Sequence, residues 1–206
     1  KIDHIQCICS NVKPDLLCLT ETWLKPEYPD DLLSIDGYFM LRNDRKFKKG
    51  GGIAVYVKNE FNGIVNEQQL NFNFEHIKVG IKFKNNKEFY VTTIYLPPDL
   101  KKEIRNEYFE FLKTLNDENI LIGDFNIDLL GDKNRKWLNQ HKNEGFEQLI
   151  SDITRFGISS RSLIDHVYSN VLKNISGSGV IDENISDHQM IYVARKMNFK
   201  ARSIPK

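Results

Sequence analysis

An α/β protein with two mixed β-sheets face to face and helices outside is what this sequence predicts, on three observations. Helical and strand patterns alternate along the chain, the short apolar runs are too many for one covered sheet, and several of those runs end on a carboxylate. Ile2, Ile5, Cys9 and Val12 share one helical face, and Lys13-Pro14-Asp15 breaks that pattern before the strand Leu16-Leu17-Cys18-Leu19, which delivers Glu21. Residues 37–41 and 53–57 read as strands either side of a basic, glycine-rich turn, while 76–83 and 88–95 flank Lys84-Asn85-Asn86-Lys87 as a hairpin. Ile104, Tyr108, Phe111, Leu112 and Leu115 form one stripe, which makes 100–115 a helix. Ile120-Leu121-Ile122 is a buried strand that ends at Gly123-Asp124-Phe125-Asn126. A further helix is expected over about 136–151, with Trp137, Leu138, Phe146, Leu149 and Ile150 inward, and strands follow at 163–168 and 189–194.

The bulk composition fits one domain. At 206 residues the chain can bury a sizeable core, and no linker separates the residues of interest between positions 21 and 188. Lys and Arg total 29 against 28 for Asp and Glu, so there is no general polyanion-binding charge and any affinity for nucleic acid must come from a local patch. Cys7, Cys9 and Cys18 sit among apolar residues without a second pair at metal-ligand spacing, which predicts reduced core thiols. No apolar run is long enough to span a bilayer, and the first residues lack a secretory pattern. The expected location is therefore nuclear or cytoplasmic, not secreted, and the Asn-Ile-Ser matches at Asn174 and Asn184 are read as accidental.

Glu21, Asp124, Asn126, Asp165, Asp187 and His188 each fall where an apolar run gives out. Converging carboxylates repel one another and suit hard divalent cations with oxygen ligands, so the simplest chemistry for the set is metal-assisted attack on a phosphate ester, with a His available for proton work. His166 is expected to be a surface or half-buried side chain, and no role is expected for His4, His76 or His141. The run Gly50-Gly51-Gly52 lacks the Gly-Lys-Ser/Thr of a phosphate loop and reads as a turn that admits close backbone packing. Candidates for phosphate contacts with DNA are Arg42, Arg45, Lys46, Lys48 and Lys49 around that turn, and Thr154, Arg155, Ser159, Ser160, Arg161 and Ser162 ahead of Asp165.

Six blocks carry a resemblance: Leu19-Thr20-Glu21-Thr22-Trp23-Leu24, Gly50 to Tyr56, Ile94-Tyr95-Leu96-Pro97-Pro98, Gly123-Asp124-Phe125-Asn126, Ser162 to Val167, and Ser186-Asp187-His188. Their order and rough spacing resemble the endonuclease/exonuclease/phosphatase family. The Thr-Glu-Thr-Trp form of the first block, the Pro-Pro after Tyr95 and the Ile-Asp-His form of the fifth are similar to the apurinic-type endonuclease domain of non-LTR (LINE-like) retrotransposons.

The resemblance implies a four-layer, DNase I-like α/β sandwich over residues 1–195, with a basic linker at 196–206. The strand with which the family begins, and the Asn it carries, is absent ahead of Lys1 in this sequence. Glu21 would be the principal ligand of Mg²⁺ (or Mn²⁺), with Asp187 beside the metal. Asp124 would deprotonate the attacking water and Asn126 would hold water or phosphate, while Tyr95 would reach a phosphate oxygen. Asp165 would orient His188 and keep it cationic. The implied activity is Mg²⁺-dependent nicking of double-stranded DNA to leave a 3′-hydroxyl that primes reverse transcription, with a reverse transcriptase domain in the same polyprotein and no membrane partner. The alternatives are a truncated, weakly active DNA-binding remnant and, further off, a family phosphatase or phosphodiesterase.

Overall fold

The computed structural model describes residues 1–46, 49–61, 65–68, 71–82, 88–182 and 185–197. The expected turn at 84–87, Lys48 and most of the basic tail lie outside the described residues. Helix α1 (Ile2–Val12) ends at Lys13, which takes a left-handed φ of 52° just before Pro14. Its apolar face, with Cys9, lies on Leu17, Ala54 and Tyr56, the outer side of a three-stranded antiparallel sheet. That sheet has the order β1 (Leu16–Thr20), β3 (Ile53–Lys58), β2 (Tyr38–Asn43).

Ile53, Val55 and Val57 point the other way and meet Ile77, Val79 and Ile81 of a second sheet. This sheet has six strands in the order β4 (Val65–Gln68), β5 (Glu75–Lys82), β6 (Glu88–Tyr95), β7 (Glu118–Asp124), β11 (Asp165–Ser169), β8 (Glu147–Gln148). Its neighbours are antiparallel except β6 and β7, whose parallel pairing needs the crossover supplied by helix α2 (Lys102–Lys113). Tyr108, Phe111, Leu112 and Trp137 bring α2 and α3 (Arg135–Asn143) down on Ile94, Leu121 and Tyr168, so the outer face is covered. The hairpin of β12 (Ile175–Ile181) and β13 (Met190–Arg195) places Val180, Ile191 and Val193 on Ile120 and Val167, beside the three-stranded sheet. Helix, sheet, sheet and helix make the four layers. Among the described residues no helix is long and apolar enough to cross a membrane.

Three expectations are corrected. The helix expected to 151 stops at Asn143, because Gly145 takes a φ of 79° that turns the chain into β8; Phe146 and Ile150 still reach the core. Cys7 is exposed, being on the solvent side of α1, while Cys9 is buried. His166 is fully buried, stacked 4.8 Å from the Phe125 ring on the helix-covered face of β11.

That burial belongs to a chain of hydrogen bonds with every proton assigned by its acceptor. Trp137 Nε1 donates to Tyr168 Oη (2.9 Å), Tyr168 donates to His166 Nδ1 (3.1 Å), and His166 Nε2 donates to the Ile127 carbonyl (2.9 Å). Tyr108 donates to His141 Nε2 (2.7 Å), whose Nδ1 donates to the Trp137 carbonyl (2.9 Å). Both imidazoles are therefore neutral, and burial pushes His141 down to about 4 and His166 to about 3. The unfolded chain takes up these protons below about pH 6.5 and the folded one does not, so stability present above that pH drains away as pH falls towards 4. Each histidine is expected to add about 1.4 kcal/mol per pH unit to the slope of stability between pH 6 and 4.5. Denaturant unfolding across that range checks it: His141→Gln should bind one proton fewer on unfolding than the parent chain, and an unaltered slope would mean that His141 is charged in the fold.

Candidate active site

Strand register assembles the site. The parallel pairing of β6 with β7 sets Tyr95 beside Asp124, and the antiparallel pairing of β7 with β11 sets Asp165 on its other side. All three lie on the inner face, in line with Ile122 and Val167. Close approach between β6 and β7 depends on Gly123, where a Cβ would stand 2.0 Å from the Ile94 carbonyl oxygen and φ is +147°.

Asp124 is buried, and its two oxygens accept from Asn126: the backbone N–H at 2.9 Å and the amide Nδ2 at 3.0 Å. Asn126 folds back to do this with a left-handed φ of 51°, and Nδ2 also reaches the Leu96 carbonyl at 2.9 Å. Burial, then the neighbouring Asp165 carboxylate, pushes the Asp124 carboxyl up to about 7 against the opposing pull of His188 and of the Asn126 N–H. Asp165 holds His188 Nδ1 at 2.9 Å and 3.1 Å through its two oxygens. Burial works against the imidazolium, yet the bond and charge of Asp165, with Asp124 and Asp187 nearby, raise it above the ordinary histidine value. Nδ1 is thus committed, and Nε2 is the donor left for a substrate oxygen.

Thr154, expected on a DNA-contacting surface, is fully buried and serves a different purpose. Its Oγ1 accepts the backbone N–H groups of Ile164 (3.1 Å) and Asp165 (3.0 Å). Its own N–H donates to the Ser162 carbonyl and its carbonyl accepts from Gln189 N–H at 2.7 Å. The strand leading to Asp165 and the segment carrying His188 are tied together at this one residue. The two-residue strands β9 (Arg155–Phe156) and β10 (Arg161–Ser162) form a hairpin whose tip residue Ile158 is fully exposed. Phe156 N–H donates to the Asp187 carbonyl at 2.9 Å, and the Arg161 guanidinium lies over the Phe156 ring. Asp187, expected beside a metal, instead pairs with Arg155 Nε at 2.8 Å, and that bond holds its carboxyl below the usual range.

Glu21 follows β1 with a left-handed φ of 52°. Its Oε1 accepts from the Tyr95 hydroxyl, and its Oε2 accepts from Gly51 N–H and Trp23 Nε1, each at 2.6 Å. Burial would raise this carboxyl, but the three bonds and the Arg45 charge hold it below its ordinary value. The Tyr95 proton is given to Glu21 and not held out for a phosphate, and burial plus the Glu21 charge drive the phenol far up. Arg45 is also committed: its Nε bonds Glu75, whose other oxygen takes Gly52 N–H at 2.6 Å, and its guanidinium sits 5.3 Å from the Tyr95 ring centre. Glu75 and Gly51 are contributors that the sequence reading missed; their signal was the glycine turn itself, whose freed N–H groups need acceptors. Lys49 is exposed, 5.3 Å from the Trp23 ring centre.

Among the described residues, ligand atoms of Asp124, Asp165 and His188 lie within 4.8 Å of one another, a group able to hold a metal ion. It includes neither Glu21 nor Asp187. Because Asp165 and His188 already satisfy each other, we read those two as a hydrogen-bonded pair. The donor set as a whole, the neighbouring Asp124 and Asp165 carboxylates with Glu21, held below its ordinary value, at another strand end, suits a hard divalent cation.

The sequence matches the endonuclease/exonuclease/phosphatase family over residues 2–188, and the chain belongs to that family. Solved structures agree in fold. An AP endonuclease from Archaeoglobus fulgidus is similar at 13% identity and TM-score 0.73, covering 95% of this chain and 94% of its own. The endonuclease domain of TRAS1, a telomere-specific non-LTR retrotransposon, is similar at 17% identity and TM-score 0.72, covering 96% and 93%. The AP endonuclease LMAP from Leishmania major is similar at 15% identity and TM-score 0.76, covering 94% and 82%. No curated protein matches the sequence.

The Thr154 hydroxyl is expected to matter more to the fold than to any surface contact. Thr154→Val keeps the shape but orphans two buried N–H groups, for a loss of about 2–4 kcal/mol in denaturant unfolding, and Thr154→Ser should recover most of it. A valine variant as stable as the parent would remove Thr154 from this role.

Proposed function

We propose that this chain is a metal-dependent phosphodiester hydrolase that nicks double-stranded DNA and leaves a 3′-hydroxyl able to prime reverse transcription. The observation that supports it most is the grouping at the strand ends: the buried Asp124 carboxyl, pushed up to about 7, beside an imidazole bonded through Nδ1 to Asp165 and raised above the ordinary histidine value. A general base near neutral pH and a fixed cation are what in-line attack of water on a phosphodiester requires. Asp124, steadied by Asn126, takes a proton from the attacking water. His188 donates from Nε2 to a phosphate oxygen and counters the charge that builds as the new P–O bond forms and the bond to the 3′-oxygen breaks. Glu21 is the residue we assign to Mg²⁺ or Mn²⁺; when bound, the cation polarises the phosphate and neutralises the leaving oxygen. Tyr95 and Gly51 orient that carboxylate.

The rim supplies sequence-independent contacts. We assign these contacts to Arg155, Arg161 and Ser162 on the β9–β10 hairpin and to the exposed Lys49 beside the glycine turn; the exposed Phe156 and Ile158 give the hairpin an apolar tip that suits a groove. The retrotransposon role, with a reverse transcriptase in the same polyprotein, is favoured by the likeness to the TRAS1 domain.

Supercoiled plasmid with Mg²⁺ tests the reading: relaxed circles whose ends a polymerase extends are expected, and intact plasmid at every metal concentration would overturn it. In single-turnover nicking, Asp124→Asn should cost on the order of 10²-fold or more. Asp165→Asn and His188→Ala should each be severe, and the double variant should be no more than about threefold worse than the worse single one, since groups acting as a unit cannot be lost twice. Multiplying losses would show that the two residues act separately.

A further inference from the structure

Trp23 is a large aromatic side chain placed where neither packing nor backbone preference puts one. It is 55% exposed, its φ of 56° is in the left-handed region that bulky residues avoid, and its backbone N–H is anchored to the Gly51 carbonyl at 2.9 Å. What this conformation achieves is a single polar contact, the indole N–H on Glu21 Oε2 at 2.6 Å. The glycine turn closes over that contact: a Cβ at Gly50 would stand 3.4 Å from Glu21 Oε2 and 3.7 Å from the indole nitrogen. Lys49 sits over the open face of the ring, and Trp23 packs on no apolar cluster among the described residues.

An ionised carboxylate offers about four acceptor positions. On Glu21, Tyr95 takes one on Oε1, while Gly51 and Trp23 take both on Oε2. One position on Oε1 is left. We propose that Trp23 is a positioning residue for the divalent cation: by saturating Oε2 it fixes the Glu21 rotamer and reserves a single oxygen of that carboxylate for the metal. The inference rests on the reading of Glu21 as the metal ligand. Donors behind a ligand commonly set its orientation, and their loss lowers metal affinity by 10–100-fold in general. The indole is well suited to this, because it is a donor only, cannot be deprotonated here and cannot itself compete for the cation.

Trp23→Phe removes the N–H while keeping an aromatic ring and the same backbone constraint. Mn²⁺ affinity of the protein without DNA, read by electron paramagnetic resonance, is expected to weaken by about tenfold in Trp23→Phe. Glu21→Gln is the reference and should lose this site. The fold is followed independently through Trp137, which is fully buried and keeps its blue emission if the core is intact. Undiminished Mn²⁺ affinity in Trp23→Phe together with loss in Glu21→Gln would overturn the role of Trp23 alone; undiminished affinity in Glu21→Gln would overturn the metal assignment beneath it. A readout that needs no variant is the exposed indole itself. Saturating the parent chain with Mg²⁺ should shift the emission of the solvent-exposed tryptophan, because the charge on its hydrogen-bond partner is shared with the cation, and an emission unmoved by a metal that demonstrably binds would also overturn the proposal.

Discussion

The register of three neighbouring strands, β6, β7 and β11, is the constraint on which the site depends. Tyr95 stands opposite Asp124 and Asp124 opposite Asp165, so three functional side chains form a row perpendicular to the strands. Because side chains alternate between faces, a slip of one residue in either pairing would send one member of the row to the helix-covered side. The slip is prevented locally. Gly123 can pack under the Ile94 carbonyl only in this alignment, and the Asn126 turn closes on both Asp124 and the Leu96 carbonyl, which ties the end of β7 to the end of β6.

From that row the electrostatics follow. Asp124 and Glu21 are both carboxylates near one another, yet their environments push them apart. Glu21 receives three hydrogen bonds that favour its charge; Asp124 is more deeply buried, has the charge of Asp165 alongside, and moves towards neutrality. A residue that stays ionised and one that exchanges a proton near pH 7 are thereby distinguished without any difference in chemical type. Both ends of the row are tied by hydrogen bonds, Asp165 accepting from His188 Nδ1 and Tyr95 donating to Glu21, and Asp124 is left between them.

Much of this was legible in the sequence, because apolar runs that stop on a carboxylate report both a strand and its functional end. Leu16-Leu17-Cys18-Leu19 before Glu21 and Ile120-Leu121-Ile122 before Asp124 are examples, and the strands lie where those runs put them. The sequence was less informative about residues whose role is set by a distant partner. Thr154 carries a short hydroxyl in a basic, polar stretch, which suits a groove contact, but its burial is decided by β11 and the 187–189 segment closing on it. Arg45 sits in a run of charges and is captured by Glu75, thirty positions away. His166 gave no sign of burial beyond its alternation with Asp165, since a buried imidazole is tolerable only if both nitrogens find partners, and those come from Tyr168 and Ile127.

The chain of bonds through that histidine explains how helices far from the chemistry hold the loop at its centre. Ile127 follows Asn126 directly, and its carbonyl is held by His166, whose ring also stacks on Phe125. The same ring is fixed through Tyr168 to Trp137 of α3, and α3 through His141 to Tyr108 of α2. The rings of Tyr108, Trp137, His141, His166 and Tyr168 are all buried, and His166 Nε2 is held by the Leu163 carbonyl (3.3 Å) as well as by that of Ile127, so displacing any of these rings would strand a polar group in the core. The turn that presents Asp124 and Asn126 is therefore gripped from the helical side as firmly as from the sheet. A left-handed Asn126 can persist in such a turn because the surrounding structure leaves it no alternative.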